Sequence, residues 1–427
     1  MDSATINRSV LYIAYHYPPI LGSSGVHRTL AFTRYLSDNG WDTSVLTTSV
    51  KAYDNWSASQ LDFIPQNTKV IRAFARNTAK DFSIAGKYWS WMALPDNWQS
   101  WIVGGLFSGL KAIKNRRPAI IISTYPIASA HIIAFLLHKI TGIAWIADFR
   151  DPMAQDNYPT NPLKKTIFQW IEQKAVKHCR HIIVTAPGAQ ALYQQRFPNT
   201  PNDFWQLIGN GYDSVIFDQL VRGGNITGQK NERAKQSIIL LHSGVIYPSE
   251  RDPTHFFDAL AQLKSKQLID NSTLQVHLRA SGHDSLLQPM IDELGINDLV
   301  KLLPPIPYKE ALAEMFEVDA LLLLQAANCN YQIPAKAYEY IRVQKPILGL
   351  LPPDGDTGLL LARAGGAIIA ELDNLEQIKQ AVLSFVNQVT TQKFSGLSRE
   401  DIEQFSRQHQ ATIFEKLLIK TINSQTH

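Results

Sequence analysis

Pro334-Ala-Lys-Ala-Tyr-Glu-Tyr-Ile341 lies between two short apolar runs, Ala320-Leu-Leu-Leu-Leu324 and Pro346-Ile-Leu-Gly-Leu-Leu351. Neither run has helical periodicity, so each reads as a buried strand of a parallel sheet. Pro334 suits the first turn of a helix between them. Lys336 and Glu339 stand three residues apart and share one face of that helix. In open α/β sheets, ligands collect where strands end and helices begin. A helix N-terminus carrying a cation and a carboxylate can hold a phosphate and a pair of sugar hydroxyls, which points to a nucleotide sugar. The same pair equally suits a surface ion pair that stabilises its own helix.

The alternation of strand and helix extends outward from this stretch. Val10-Leu-Tyr-Ile-Ala14 reads as a first buried strand. A loop with Pro18-Pro19 and Gly22-Ser-Ser-Gly25 follows, then a helix with Val26, Leu30 and Leu36 inward, closed by Gly40. Thr43-Ser-Val-Leu-Thr47, Ala119-Ile-Ile-Ile122, Ala144-Trp-Ile-Ala147 and His181-Ile-Ile-Val184 continue the pattern. It breaks over residues 216–236, which hold Gly223-Gly224 and the polar run Gln229-Lys-Asn-Glu-Arg233, so this stretch reads as a linker. Strands then resume at Ser237-Ile-Ile-Leu-Leu241, Leu274-Gln-Val-His-Leu278 and Val300-Lys-Leu302, and end with Ala367-Ile-Ile-Ala370. Asp252-Pro253 offers an N-cap and first turn to a helix with Phe256, Phe257, Leu260 and Leu263 inward. The expected fold class is α/β, with two tandem Rossmann-like domains at 1–215 and 237–398. Residues 399–427 read as a terminal helix, with Ile402, Phe405, Ile413, Leu417 and Leu418 needing a partner surface.

Size and composition bound the possibilities. At 427 residues the chain is too long for one ordinary core. Its 45% hydrophobic and 18% charged content is that of a folded protein. A net charge of +4 gives no general affinity for nucleic acid, so none is expected as a partner. Two cysteines, Cys179 and Cys329, cannot form a disulfide framework, which suits a reducing cytoplasm. The run Ile132-Ile-Ala-Phe-Leu-Leu137 ends at His138 and Lys139, well short of the roughly 20 residues a membrane span needs. The start of the chain carries Asp2 and does not read as a signal peptide.

Several blocks resemble the GT-B glycosyltransferases of the large retaining family 4, in particular a subgroup that builds polysaccharides and lipopolysaccharide. Tyr17-Pro-Pro-Ile-Leu-Gly-Ser-Ser-Gly25, followed by Arg28, resembles the N-terminal glycine loop. Ala147-Asp-Phe-Arg-Asp-Pro152 resembles a block of the polysaccharide subgroup, and Ile208-Gly-Asn-Gly-Tyr-Asp213 the turn that ends the first domain. His242-Ser-Gly-Val-Ile-Tyr247 resembles the start of the donor domain, and Pro334 to Ile347 the carboxylate helix. The resemblance implies two domains facing across a cleft, with the terminal helix crossing back to the first. It implies a nucleotide-sugar donor, a glycan or lipid-linked sugar acceptor, and no metal or other cofactor. An acceptor of this kind also allows peripheral contact with the inner face of the cytoplasmic membrane. Many members carry a glutamate eight positions before the one matching Glu339, where this chain has Tyr331. That departure keeps a non-catalytic sugar-nucleotide-binding subunit open, beside a sugar-nucleotide epimerase of GT-B shape.

By this resemblance Gly22, Gly25, Gly244, Arg251, Lys336 and Glu339 are the donor-binding candidates. Glycine lets backbone N–H groups approach an anion, although Gly22 and Gly25 also suit an ordinary turn. Arg251 takes the place of a lysine that neutralises the diphosphate, or it is a solvated neighbour of Glu250. Glu339 is expected to face a solvent-filled cleft and to accept from the ribose hydroxyls. Asp151 and His131 are the catalytic candidates, placed near the acceptor hydroxyl. Against that, Asp148, Arg150 and Asp151 also suit a loop in which Arg150 is clamped by two carboxylates, and a lone histidine at a helix start commonly packs or caps. Asp354-Gly-Asp356 looks like a metal motif but is better read as a helix N-cap at Asp356. Trp89, Trp91, Trp98 and Trp101 form either core or an apolar docking surface.

Overall fold

A computed structural model describes residues 7–21, 24–83, 87–156, 158–223 and 237–424. By contacts the chain divides into two compact units, Met1–Gly209 with Arg407–His427, and Asn210–Ser406. The sequence suggested 1–215 and 237–398 with a linker at 216–236. The structure instead has a helix, Ser214–Arg222, whose Phe217 packs on Phe316 within the second unit. Residues 224–236 of the expected linker lie outside the described residues.

The first unit is built on seven parallel strands: β1 Ser9–Ile13, β2 Asp42–Thr48, β3 Lys69–Ala73, β4 Ile120–Thr124, β5 Ala144–Arg150, β6 His181–Val184 and β7 Trp205–Leu207. Their order across the sheet is β3-β2-β1-β4-β5-β6-β7. β1, β4 and β5 are buried along their whole length, which is why they read in sequence as continuous apolar runs. The two edge strands escaped the sequence reading for a physical reason. β3 is largely half-exposed and carries Lys69 and Arg72, while β7 is three residues long.

The second unit repeats the plan with six parallel strands: β8 Ile238–Ser243, β9 Leu274–Arg279, β10 Val300–Leu303, β11 Ala320–Leu324, β12 Ile347–Leu350 and β13 Ala367–Ala370. Their order is β10-β9-β8-β11-β12-β13. Phe256, Phe257, Leu260 and Leu263 of helix Thr254–Ser265 are buried on this sheet, as their spacing predicts. In both sheets the strand order reverses beside the first strand, at β1/β4 and at β8/β11. Such switch points open a crevice beyond the carboxyl ends of the strands.

The terminal segment forms two helices instead of one, Arg399–Glu403 and Arg407–Asn423. Ile402 and Phe405 belong to the second unit, whereas Phe414, Leu417 and Leu418 enter the core of the first. There the last helix packs along Ser24–Asp38, with Phe414 stacked on Phe32 at 4.9 Å. Among the described residues, no helix is long and apolar enough to cross a membrane.

Candidate functional site

At the β8/β11 switch point the residues singled out in the second half of the sequence come together. Helix Ala335–Val343 starts behind Pro334, which is its extended N-cap residue and not part of its first turn. The connection from β11 to that helix is held by Gln325, which is buried. Its amide donates to the carbonyls of Cys329 (2.6 Å) and Gln332 (3.1 Å), and its oxygen accepts from Thr357 Oγ1 at 2.8 Å. The Ala326 N–H donates to the Glu250 carbonyl at 2.7 Å, joining this loop to the one that carries Arg251. Both loops are therefore fixed by buried hydrogen bonds that nothing in the local sequence announces.

The ammonium of Lys336 lies 3.0 Å from His242 Nε2. His242 is fully buried, and its Nδ1 contacts the Leu322 carbonyl at 3.0 Å. A carbonyl can only accept, so Nδ1 carries the proton and Nε2 is left to accept from Lys336. Burial, with Lys336 and Arg251 nearby, holds His242 well below the usual imidazole range and therefore neutral. Desolvation and the Arg251 charge likewise press the Lys336 ammonium well below its ordinary range, with Glu339 opposing. Gly244 makes room for this contact. Its φ is +112°, and a Cβ there would stand 3.2 Å from Lys336 Nζ.

Arg251 donates to the Val245 carbonyl at 2.6 Å and lies 5.2 Å over the Tyr247 ring. Two basic side chains are thus gathered near the start of one helix, and the Arg251 charge disfavours that of Lys336. Glu339 differs from expectation. It is only 7% exposed, and its Oε1 accepts from the Tyr308 hydroxyl at 2.6 Å. Its carboxylate is oriented by that bond in place of standing in open solvent. Tyr331 lies on the loop between β11 and the helix and is 41% exposed.

A proton-linkage prediction follows from Lys336. An anion in the site favours the ammonium form and returns its pKa toward the ordinary lysine range. Binding then takes up a proton at pH values between the depressed free-site value and the bound-state value. Affinity for inorganic pyrophosphate is therefore full below that value and falls as pH rises through it, levelling off beyond the bound-state value. Calorimetry across pH should show this decline in the native protein and its loss in Lys336→Met. A slope unchanged by the substitution would remove Lys336 from the linkage.

In the first unit, the block around Asp148 is arranged differently from the sequence reading. The arginine clamped by a carboxylate is Arg28 and not Arg150. Arg28 donates from Nε and Nη2 to the two oxygens of Asp148, both at 3.1 Å, and also to the carbonyls of Ile208 (3.0 Å) and Gly209 (2.6 Å). Thr124 Oγ1 adds a bond to Asp148 at 2.9 Å. Both ends of the ion pair are almost fully buried. Arg150 sits at a register shift in β5 with φ +62° and donates to the Tyr125 carbonyl at 3.0 Å. This left-handed turn swings Asp151 out of the strand, where its Oδ1 accepts from Thr185 Oγ1 at 3.3 Å. Burial pushes the Asp151 carboxyl upward, with Arg150 opposing.

His131 is fully enclosed in helix Ser129–Thr141, with Nδ1 2.8 Å from Ser123 Oγ and its ring edge-on to Phe149 at 5.1 Å. Burial lowers its pKa to about 3, so it is neutral at any physiological pH. Gly25 lies in the first turn of helix Ser24–Asp38, where its carbonyl accepts from Thr29 Oγ1 at 3.2 Å. Gly22 lies outside the described residues. Asp356 is the first residue of helix Asp356–Ala364, whose N-cap is Gly355 and not Asp356.

No protein-family model and no curated protein sequence matches the chain. Solved structures do. Sucrose-phosphate synthase from Thermosynechococcus elongatus aligns with 98% of this chain and 100% of its own, with a TM-score of 0.67 at 12% identity. HepE from Anabaena, in complex with UDP, aligns with 97% of this chain and 100% of its own, with a TM-score of 0.65 at 12% identity. A putative UDP-N-acetylglucosamine 2-epimerase from Listeria monocytogenes covers 98% of this chain and 97% of its own, with a TM-score of 0.54 at 12% identity. At such identities the likeness is one of fold, and that fold is GT-B, two Rossmann-like units on parallel sheets.

Proposed function

We propose that this protein is a retaining glycosyltransferase of family 4 type, moving a sugar from a nucleotide donor to a glycan or lipid-linked acceptor in surface polysaccharide or lipopolysaccharide assembly. The observation that carries this reading is the gathering of Lys336, Arg251 and the oriented Glu339 carboxylate at the β8/β11 switch point. Lys336 and Arg251 would take the donor diphosphate, and Gly244 lets the first of them lie close to the backbone. Glu339 would accept from the ribose hydroxyls. Solved complexes of the similarly folded HepE with UDP and with UDP-glucose suit such a donor.

In the transfer, the bond from the sugar C1 to the phosphate oxygen breaks and a bond from C1 to the acceptor oxygen forms. The acceptor proton passes to the departing phosphate, so no protein nucleophile or metal is required. The two cations stabilise the charge that develops on that phosphate. Asp151 would stand by the acceptor hydroxyl and orient it by accepting its hydrogen bond, while the proton goes to the phosphate. His131, enclosed and neutral, would support the strand end that presents Asp151 and not exchange protons itself. The protein would work in the cytoplasm, at the inner face of the membrane.

An epimerase is the second reading, because proteins described as UDP-N-acetylglucosamine 2-epimerases share the fold. Tyr331 favours a third, binding without transfer. Incubation with a panel of nucleotide sugars and lipid-linked sugars separates them by product: transferred sugar, isomerised donor, or neither. Glu339→Ala is expected to weaken donor binding by about 1.5–3 kcal/mol, the value of a hydrogen bond to a charged group, while the protein stays folded. Unchanged binding in calorimetry would remove Glu339 from the donor site.

A further inference from the structure

The four tryptophans at 89–101 divide in the structure. Trp101 is fully buried, and Trp98 is half-buried, donating to the Ala52 carbonyl at 3.1 Å. Trp89 and Trp91 are 72% and 59% exposed and stack on each other at 6.2 Å. Other apolar side chains are also uncovered on helix Ser100–Asn115 and at the end of β3. Val103 (59%) and Phe107 (70%) are one helical turn apart, and Phe74 is 58% exposed. These pieces form one layer of chain. Arg76 exchanges hydrogen bonds with Ser100 Oγ, and Thr78 Oγ1 and Gln99 Nε2 both donate to the Met92 carbonyl at 2.6 Å. Phe74 lies so close to the helix that a Cβ on Gly104 would overlap its carbonyl oxygen.

Charge on this layer is mainly positive, with Asp81 paired to Arg76 at 3.7 Å and Asp42 to Arg116 at 2.6 Å. Residues 87–117 contain five cations, Lys87, Lys111, Lys114, Arg116 and Arg117, and a single acid, Asp96. Asp96 is buried and accepts from the N–H and hydroxyl of Ser129, so its charge is spent inside the fold. The exposed side of the helix therefore runs from Val103 and Phe107 to Lys111 and Lys114. An apolar stripe ending in lysines, beside paired tryptophans, has the chemistry of a bilayer interface. An acidic protein surface would complement the lysines but not call for two stacked, exposed indoles. Uncovered aromatic area of this size otherwise favours aggregation.

We propose that this face of the N-terminal unit, Trp89, Trp91, Val103, Phe107, Lys111 and Lys114, docks on an anionic lipid bilayer. The face deepens the reading of a lipid-linked acceptor, since it would bring the first unit to the surface where such acceptors lie. Its test does not depend on transfer. The full-length protein is sedimented with phosphatidylcholine vesicles, with and without phosphatidylglycerol, at low and high salt. Binding is expected only to the anionic vesicles and should fall with salt. The double variant Lys111→Gln/Lys114→Gln should bind at least about tenfold more weakly, given roughly a fivefold effect per lysine. Trp89→Ser/Trp91→Ser should lose binding while keeping its thermal transition and its affinity for pyrophosphate. Equal binding of native protein and both variants, or no binding to either vesicle, would overturn the proposal. So would concentration-dependent self-association abolished by Trp89→Ser/Trp91→Ser in the absence of vesicle binding, which would make this a protein interface. Loss of transfer with vesicle binding intact would count against the enzyme reading alone.

Discussion

Asp148→Asn should cost about 3–5 kcal/mol of stability, because it strands the Arg28 guanidinium inside the protein without a counter-charge. The pair is 1–2% exposed, and Arg28 also donates to the Ile208 and Gly209 carbonyls. Water cannot reach the abandoned charge without opening the end of β5. A surface pair of the same geometry would be worth at most about 1 kcal/mol. Denaturant unfolding followed by tryptophan fluorescence measures the loss. The double variant Arg28→Met/Asp148→Leu removes both charges and should recover part of it, limited by the two carbonyls left without a donor. A loss below about 1 kcal/mol in Asp148→Asn would mean that the pair is solvated.

Deleting residues 407–427 should prevent the first unit from folding. Helix Arg407–Asn423 supplies Phe414, Leu417, Leu418 and Ile422 to the core of that unit. At about 1.5–3 kcal/mol for each buried side chain, their loss amounts to roughly 6–12 kcal/mol. That equals the whole stability of an ordinary domain. Glu415 adds bonds from Trp41 Nε1 (2.8 Å) and the Tyr35 hydroxyl (3.1 Å), and Gln410 accepts from the Gly209 N–H at 2.8 Å. Phe414→Ala, a milder change, should cost about 3–5 kcal/mol and leave a folded protein for comparison. Circular dichroism and limited proteolysis would follow both. A truncated chain that melts as cooperatively as the native one would show that the helix only decorates the surface.

Much of this architecture was legible because parallel strands buried on both faces cannot hide in a sequence. Ala320-Leu-Leu-Leu-Leu324 and His181-Ile-Ile-Val184 coincide with β11 and β6. The edge strands β3 and β7 carry polar or short sequences because one side of each needs no cover. Long-range partners were not legible. Arg28 and Asp148 are 120 residues apart and His242 and Lys336 are 94 apart, and only the sheet order brings them together. The sequence placed Arg150 between carboxylates because it stands beside two of them. A left-handed residue at a register shift turned it away, a backbone event with no local signature for an arginine. The break between the last two helices was likewise invisible, since neither proline nor glycine marks residues 404–406.

The direct measurement is calorimetric binding of uridine diphosphate and of uridine to the native protein, Arg251→Met and Lys336→Met. Methionine keeps an unbranched stem and drops the charge. If these two side chains hold the diphosphate, each substitution weakens the diphosphate by about 1.5–3 kcal/mol, tenfold or more, and leaves the bare nucleoside within about twofold. Equal losses for both ligands, or none, would show that neither cation meets the phosphates, and the donor site would have to lie elsewhere in the chain.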